Sequence, residues 1–202
     1  MQTTYPVMEV FPTLQGEGEY TGSPAYFIRL AGCDVGCAWC DVKESWPADE
    51  YPGLSAEAIT KGALESGLDI VVITGGEPCM YDLHDLTKSL KSHGLRVHLE
   101  TSGAHPIRGE FDWITLSPKK FKPCLKESFA VANELKVIVV NKHDLVWARE
   151  QAQKVPSDTL LYLQPEWSRK DKSQDLIEEF VETAAGGEWR LSEQTHKYLG
   201  IR

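Results

Sequence analysis

The chain has 202 residues, enough for one domain that buries a core of its own without staples. Its 21 Lys and Arg stand against 30 Asp and Glu, a formal charge of −9, and the basic residues are scattered rather than gathered, which argues against a duplex-binding surface. Met1 to Pro6 has no basic region followed by an apolar core, and no apolar run approaches a membrane span; a cytoplasmic protein with no nucleic-acid or membrane partner is expected.

In chain order, Tyr5 to Phe11 alternates apolar residues and breaks into Pro12-Thr-Leu14-Gln15-Gly16-Glu17-Gly18-Glu19, which reads either as a plain hairpin turn or as a polar recognition loop. Pro24 to Gly32 is apolar enough for a buried strand. After a loop from Asp41 to Gly53, Ser55 caps a helix whose apolar period runs to Gly67. Asp69 to Pro78 is a buried strand ending in Thr74-Gly75-Gly76-Glu77-Pro78. A helix from Asp82 to His93 stops at Gly94 and leads into the strand Leu95 to Gly103.

The pattern continues with strands at Phe111 to Leu116, Glu134 to Val140, Thr159 to Leu163 and Glu188 to Leu191. Helices are expected at His143 to Lys154 and at Ser173 to Ala185, the latter closed by Gly186-Gly187, while Lys119 to Asn133 lacks a clear helical period. Strands alternating with helices at this spacing predict a parallel sheet with right-handed crossovers and a ligand at the carboxyl ends of its strands. The unusual polar groups follow strands: the thiols after position 32, Thr74 to Pro78, Glu100 to Ser102, Ser117 to Lys119, Gln164, and Gln194 to His196.

Five cysteines is an odd count, and Cys33, Cys37 and Cys40 are too crowded for a disulfide framework. The C-x3-C-x2-C spacing suits three corners of a cuboidal iron-sulfur cluster whose fourth iron is left open. The alternative is zinc completed by Asp41, His84, His93 or His98, although no second Cys/His pair stands at suitable spacing. Cys79 and Cys124 stand alone and read as small buried side chains. Gly75-Gly76-Glu77-Pro78 can be a tight turn or a backbone surface for a ligand's ammonium or carboxylate, with Glu77 as an added acceptor. Ser117 and Lys119 suit a ribose hydroxyl or a carboxylate, or lie in a solvated loop.

The cysteine spacing followed by Gly-Gly-Glu-Pro resembles the radical S-adenosylmethionine (SAM) superfamily. Phe11-Pro-Thr-Leu-Gln15-Gly-Glu17-Gly18, Trp39-Cys40-Asp41, Glu100-Thr-Ser102-Gly103, Ser117-Pro-Lys119 and Arg190-Leu-Ser-Glu-Gln194-Thr-His196-Lys197 resemble, in combination, the 7-carboxy-7-deazaguanine synthase family, from about residue 8 to the chain's end. The resemblance implies a single domain over residues 1–202: an incomplete (β/α) barrel of about six parallel strands with reduced helix content, its substrate loops and C-terminus folded onto the mouth. It implies a lyase that contracts 6-carboxy-5,6,7,8-tetrahydropterin to 7-carboxy-7-deazaguanine with loss of ammonia, on the route to queuosine in tRNA. A SAM-derived radical would take hydrogen from C6 and return it.

By matching motif positions, Cys33, Cys37 and Cys40 would hold a 4Fe-4S cluster, and Trp39, Asp41, Gly75, Gly76, Glu77, Ser117, Lys119 and Gln164 would contact SAM. Leu14, Gln15, Gly16, Glu17, Arg29, Thr74, His196 and Arg202 would contact the substrate. Glu17 and Gln15 match the N–H donors of an aminopyrimidine edge, and Arg29 suits the pterin carboxylate. Val42 stands where many members carry a magnesium-binding threonine; valine offers no oxygen to that hard cation, so weak magnesium dependence is expected. The resemblance further implies an electron donor such as a flavodoxin or ferredoxin, and a homodimer. A radical SAM activating enzyme acting on a partner protein and a non-enzymatic metal-binding module are the alternatives.

Overall fold

The computed structural model describes residues 3–202; Met1 and Gln2, the start of the segment expected to carry no leader, lie outside the described residues. Nine strands form one sheet: β1 (Thr4–Leu14), β2 (Pro24–Leu30), β3 (Gly53–Ser55), β4 (Ile70–Gly75), β5 (Arg96–Thr101), β6 (Trp113–Leu116), β7 (Glu134–Val139), β8 (Leu160–Pro165) and β9 (Trp189–Leu191). Their spatial order is β3-β1-β2-β4-β5-β6-β7-β8-β9, and the sheet does not close. From β2 to β9 every neighbouring pair is parallel, a run of seven strands where about six were expected. β1 joins this run antiparallel to β2, and β3 pairs antiparallel with β1.

β1 continues three residues past the expected Phe11 because Pro12, Thr13 and Leu14 stay in register with β2. Pro12 is tolerated there because β3 reaches only Thr4 to Pro6, so no neighbour on the other side calls for its missing N–H.

Helices α1 (Ala56–Ser66), α2 (His84–Ser92), α3 (Lys126–Ala130), α4 (Lys142–Ala152) and α5 (Lys170–Val181) cover the outer face, and α6 (Thr195–Leu199) follows the last strand. Ser55 caps α1 as its position predicts, accepting from Ala58 N at 3.2 Å. Helix α4 opens on a capping box between Asn141 and Asp144. Helix α5 begins and ends earlier than Ser173 to Ala185, because a 3-10 turn at Trp167–Arg169, seeded by Glu166 accepting from Ser168 N, winds straight into it.

Helix content is reduced, though not wholly where the sequence pointed. Asp41 to Gly53 holds only 3-10 turns at Lys43–Ser45 and Ala48–Glu50, but Lys119 to Asn133 contains α3. The crossover between β5 and β6 has no helix. Two apolar clusters support the sheet: one gathers Ile28, Leu30, Val71, Ile73, Leu86, Leu90 and Leu99 under α1 and α2, the other Leu116, Leu135, Val137, Leu145, Leu163 and Ile177 under α4 and α5. Inward-facing positions of the parallel strands are therefore free to carry polar chemistry.

Candidate active site

A cavity of about 530 Å³ opens at the carboxyl ends of the parallel strands, bounded by the cysteine loop, the β1–β2 hairpin, the ends of β4, β5, β7 and β8, and the C-terminal segment. Cys33, Cys37 and Cys40 all line it with free thiols. Burial raises the pKa of Cys33 and pushes Cys37 up to about 11, so these thiols stay protonated until a metal takes the thiolate. Among the described residues, no three His, Cys, Asp or Glu are gathered as ligands of a single metal ion. A cuboidal cluster takes one thiolate per iron and spreads its ligands over its corners; the donor set fits a cluster rather than a lone zinc.

The loop is held by Gly76 and Glu77, directly after β4. Gly76 N donates to Leu30 O at 2.9 Å and Glu77 N to Gly32 O at 2.8 Å, which draws the backbones so close that a Cβ on Gly76 would stand 2.3 Å from Gly32 O. Glu77, 1% exposed, accepts from Cys79 N, Thr101 Oγ1 and both the amide and hydroxyl of Ser102. Four donors occupy its acceptor capacity. The Glu77 carboxylate ties the ends of β4 and β5 together, and Gly75, Gly76 and Glu77 all line the cavity.

Of the other residues matched to SAM, Lys119 Nζ donates to Ser117 Oγ at 2.6 Å and lies 5.8 Å from the Trp39 ring centroid, so these three form one group beside the thiols. Gln164 is buried and accepts from Ser192 Oγ at 2.8 Å. Asp41 is exposed and engaged from the C-terminal segment, accepting from Lys197 Nζ and from Gln194 Nε2 at 3.4 Å.

The opposite wall belongs to the hairpin, which is both the turn and the polar loop the sequence left open. Its turn closes with Gly22 N donating to Gln15 O at 2.7 Å, and its tip is bonded to β7 and to the segment after β9. Gly18 N donates to Ser192 Oγ at 3.0 Å and Glu19 N to Glu134 Oε2 at 3.0 Å. Gly18 has φ 65°, and a Cβ there would stand 2.1 Å from Glu134 Oε1, so only glycine seats the tip. Tyr20 packs edge-on against His98 and Trp113.

Leu14, Gln15, Gly16, Glu17, Arg29, Thr74, His196 and Arg202 all line the cavity. Glu9 takes Arg29 through Nε at 2.9 Å, which leaves the terminal nitrogens of the fork for a carboxylate. His196 sits against Gly16, and burial lowers its pKa, keeping the imidazole neutral. Arg202 returns to β1: its backbone oxygen accepts from Thr13 Oγ1 at 2.6 Å and its guanidinium lies 3.2 Å from Glu9.

Lys136 escaped the sequence reading. Its Nζ stands 2.5 Å from Glu17 Oε2 and 2.9 Å from Glu100 Oε2, and this cation holds Glu17 down at about 2 despite burial. Glu134, two residues earlier on the same inward face, is pushed up to about 7 by burial. The available signal was Glu134-Leu-Lys136-Val-Ile138, charges at alternate positions of an apolar strand.

The radical SAM superfamily model matches residues 27–126. The chain is 52% identical over 97% of its length to the 7-carboxy-7-deazaguanine synthase of Flavobacterium psychrophilum, covering 92% of that protein. It is 48% identical over its whole length to the synthase of that name from Synechocystis, covering 96% of it. The crystal structure of QueE from Escherichia coli superposes with a TM-score of 0.84 at 37% identity, over 96% of this chain and 95% of that one.

Proposed function

The chain belongs to the 7-carboxy-7-deazaguanine synthase family of the radical SAM superfamily, and from that premise we propose how its cavity divides the reaction between cofactor and substrate. It is a carbon–nitrogen lyase of queuosine biosynthesis that converts 6-carboxy-5,6,7,8-tetrahydropterin to 7-carboxy-7-deazaguanine with release of ammonia. The 4Fe-4S cluster and SAM, when bound, supply the radical that takes hydrogen from substrate C6 and returns it.

Cys33, Cys37 and Cys40 hold the cluster. Gly75, Gly76, Trp39, Asp41, Ser117, Lys119 and Gln164, which line the cavity beside them, would hold SAM. The pterin takes the hairpin side: Gln15, Gly16 and Glu17 meet its aminopyrimidine edge, Arg29 its carboxylate, and Leu14, Thr74, His196 and Arg202 complete the enclosure. The observation that carries this division is the cavity itself, with free thiols on one wall and an ionised, amide-buttressed carboxylate on the other. An N–H-rich edge is complementary to Glu17, and a neutral His196 offers a donor or acceptor without adding charge.

Magnesium fits the site poorly. Val42 lines the cavity without an oxygen, and Asp41 already accepts from Lys197, so no step is assigned to a divalent ion. One continuous sheet backs both apolar clusters, which supports a single domain. We further propose a cytoplasmic homodimer reduced by a flavodoxin or ferredoxin. The activating-enzyme and metal-module alternatives are not favoured by the full-length relatives. Anaerobic incubation with SAM, a reductant and the carboxytetrahydropterin should yield the deazaguanine acid by mass; SAM cleavage without that product would overturn the substrate assignment.

A further inference from the structure

A lysine buried inside a sheet needs a counter-charge, and Lys136 has two. Its side chain is 3% exposed, and its Nζ bridges Glu17 of the hairpin and Glu100 of β5. Each carboxylate gives its other oxygen to a glutamine: Gln194 Nε2 donates to Glu17 Oε1 at 2.9 Å, and Gln15 Nε2 to Glu100 Oε1 at 3.2 Å. The result is two carboxylates sharing one cation, each steered by an amide, on the cavity wall. A carboxylate oxygen accepts two donors, so each keeps capacity for a ligand's N–H after the lysine and the amide are satisfied.

We propose that Lys136 is the positioning residue of the substrate side: it holds Glu17 and Glu100 together and aimed at the donor edge of the pterin. This rests on the reading above, in which Glu17 faces the substrate. Without the ammonium, two carboxylates drawn to one point repel, and one takes a proton or swings away. The hairpin has no covalent link to β7, so its tip would lose the charge that anchors it. Other titratable groups facing the pair are Glu134 from the layer below, His196 from the C-terminal segment and Lys119 from the end of β6. None of them bridges both carboxylates.

The test is equilibrium binding of carboxytetrahydropterin to the cluster-loaded, SAM-bound enzyme without reductant, so that nothing turns over, across about pH 6 to 8.5. Wild type should show only the pH dependence that Glu134, titrating at about 7, passes on through the hairpin, and the variants are read against that profile. Lys136→Met should weaken pterin binding about tenfold or more, with SAM binding and iron content unchanged, and its binding should gain a further pH dependence as the unbridged pair titrates. Lys136→Arg, which keeps a cation, should recover part of the affinity. Wild-type affinity in a folded Lys136→Met, weakened binding with the wild-type pH profile, or no recovery in a folded Lys136→Arg would each overturn the proposal. If the methionine variant does not fold, Lys136→Gln takes its place; failure of both to fold assigns the lysine to stability and overturns it as well. Wild type that binds SAM but not the pterin sinks the substrate reading itself, a result distinguishable from all of these.

Discussion

Lys136 Nζ lies 2.5 Å from Glu17 Oε2, joining an inner strand of the sheet to a hairpin 119 residues earlier in the chain. The ion pair brings the substrate loop under the control of the barrel's interior, and the neighbouring groups give that control measurable consequences.

Glu134 should make stability fall as the pH rises. Burial lifts its carboxyl from 4.5 to about 7 while its Oε2 holds the hairpin at Glu19 N. A raised folded value means the folded state holds the proton more tightly; the contribution is intact below about pH 4.5 and is lost as the pH rises through about 7. The shift corresponds to about 3 kcal/mol. Glu134→Gln keeps the acceptor and removes the titration, so its denaturant midpoint should vary less than that of wild type between those limits. An unchanged slope in the variant would exclude Glu134 as the source.

Glu17 has the opposite sign. Lys136 lowers its carboxyl from 4.5 to about 2, so its contribution is present above about pH 4.5 and is lost as the pH falls through about 2. Glu17→Gln should remove that acid limb from the unfolding profile and raise the KM for the pterin more than it lowers kcat. A variant with the wild-type KM contradicts a substrate role for Glu17.

Removing any one of Cys33, Cys37 and Cys40 should abolish the visible absorbance and iron content after anaerobic reconstitution, together with SAM cleavage. Cys79 and Cys124 are pushed up to about 12 by burial and should be inert; Cys79→Ala and Cys124→Ala should retain iron at the wild-type level. Loss of the cluster in either alanine variant would enlarge the ligand set.

Glu77→Gln replaces half of a four-donor acceptor with a donor facing donors. The cost is about 2–4 kcal/mol, a melting temperature lower by about 5–15 °C in a chain of this size. Cluster retention should fall as well, since Glu77 N also holds the loop at Gly32. A melt within 2 °C or so of wild type would mean that the network is not formed in solution.

Chelating magnesium should leave most of the turnover in place, because Val42 supplies no oxygen and Asp41 is engaged by Lys197. Val42→Thr should increase the dependence on added magnesium. A large loss of wild-type turnover on chelation alone would refute this assignment.

Much of the architecture was legible in the sequence because it rests on local periodicity. Ile70 to Thr74 and Leu135 to Val139 are apolar runs of strand length, and Ser55, Gly67 and Gly94 mark helix ends through capping and left-handed geometry. Helix α5 was misjudged by several residues because its start is set by a preceding turn rather than by its own apolar stripe. The short α3 and α6 were missed because one turn or so of helix leaves too few residues for a period to register.

The sequence by itself determined the chemistry of the thiols and the run of polar groups at strand ends, since both depend on residues a few positions apart. Only the tertiary structure decided which charges meet. Strand order sets Lys136 between β5 and the inserted hairpin, turns the Glu77 carboxylate toward Thr101 and Ser102, and carries Lys197 back to Asp41. These pairings come from crossovers that close over tens of residues, where no short-range pattern records the partner and the cost of burying an unpaired charge selects it instead.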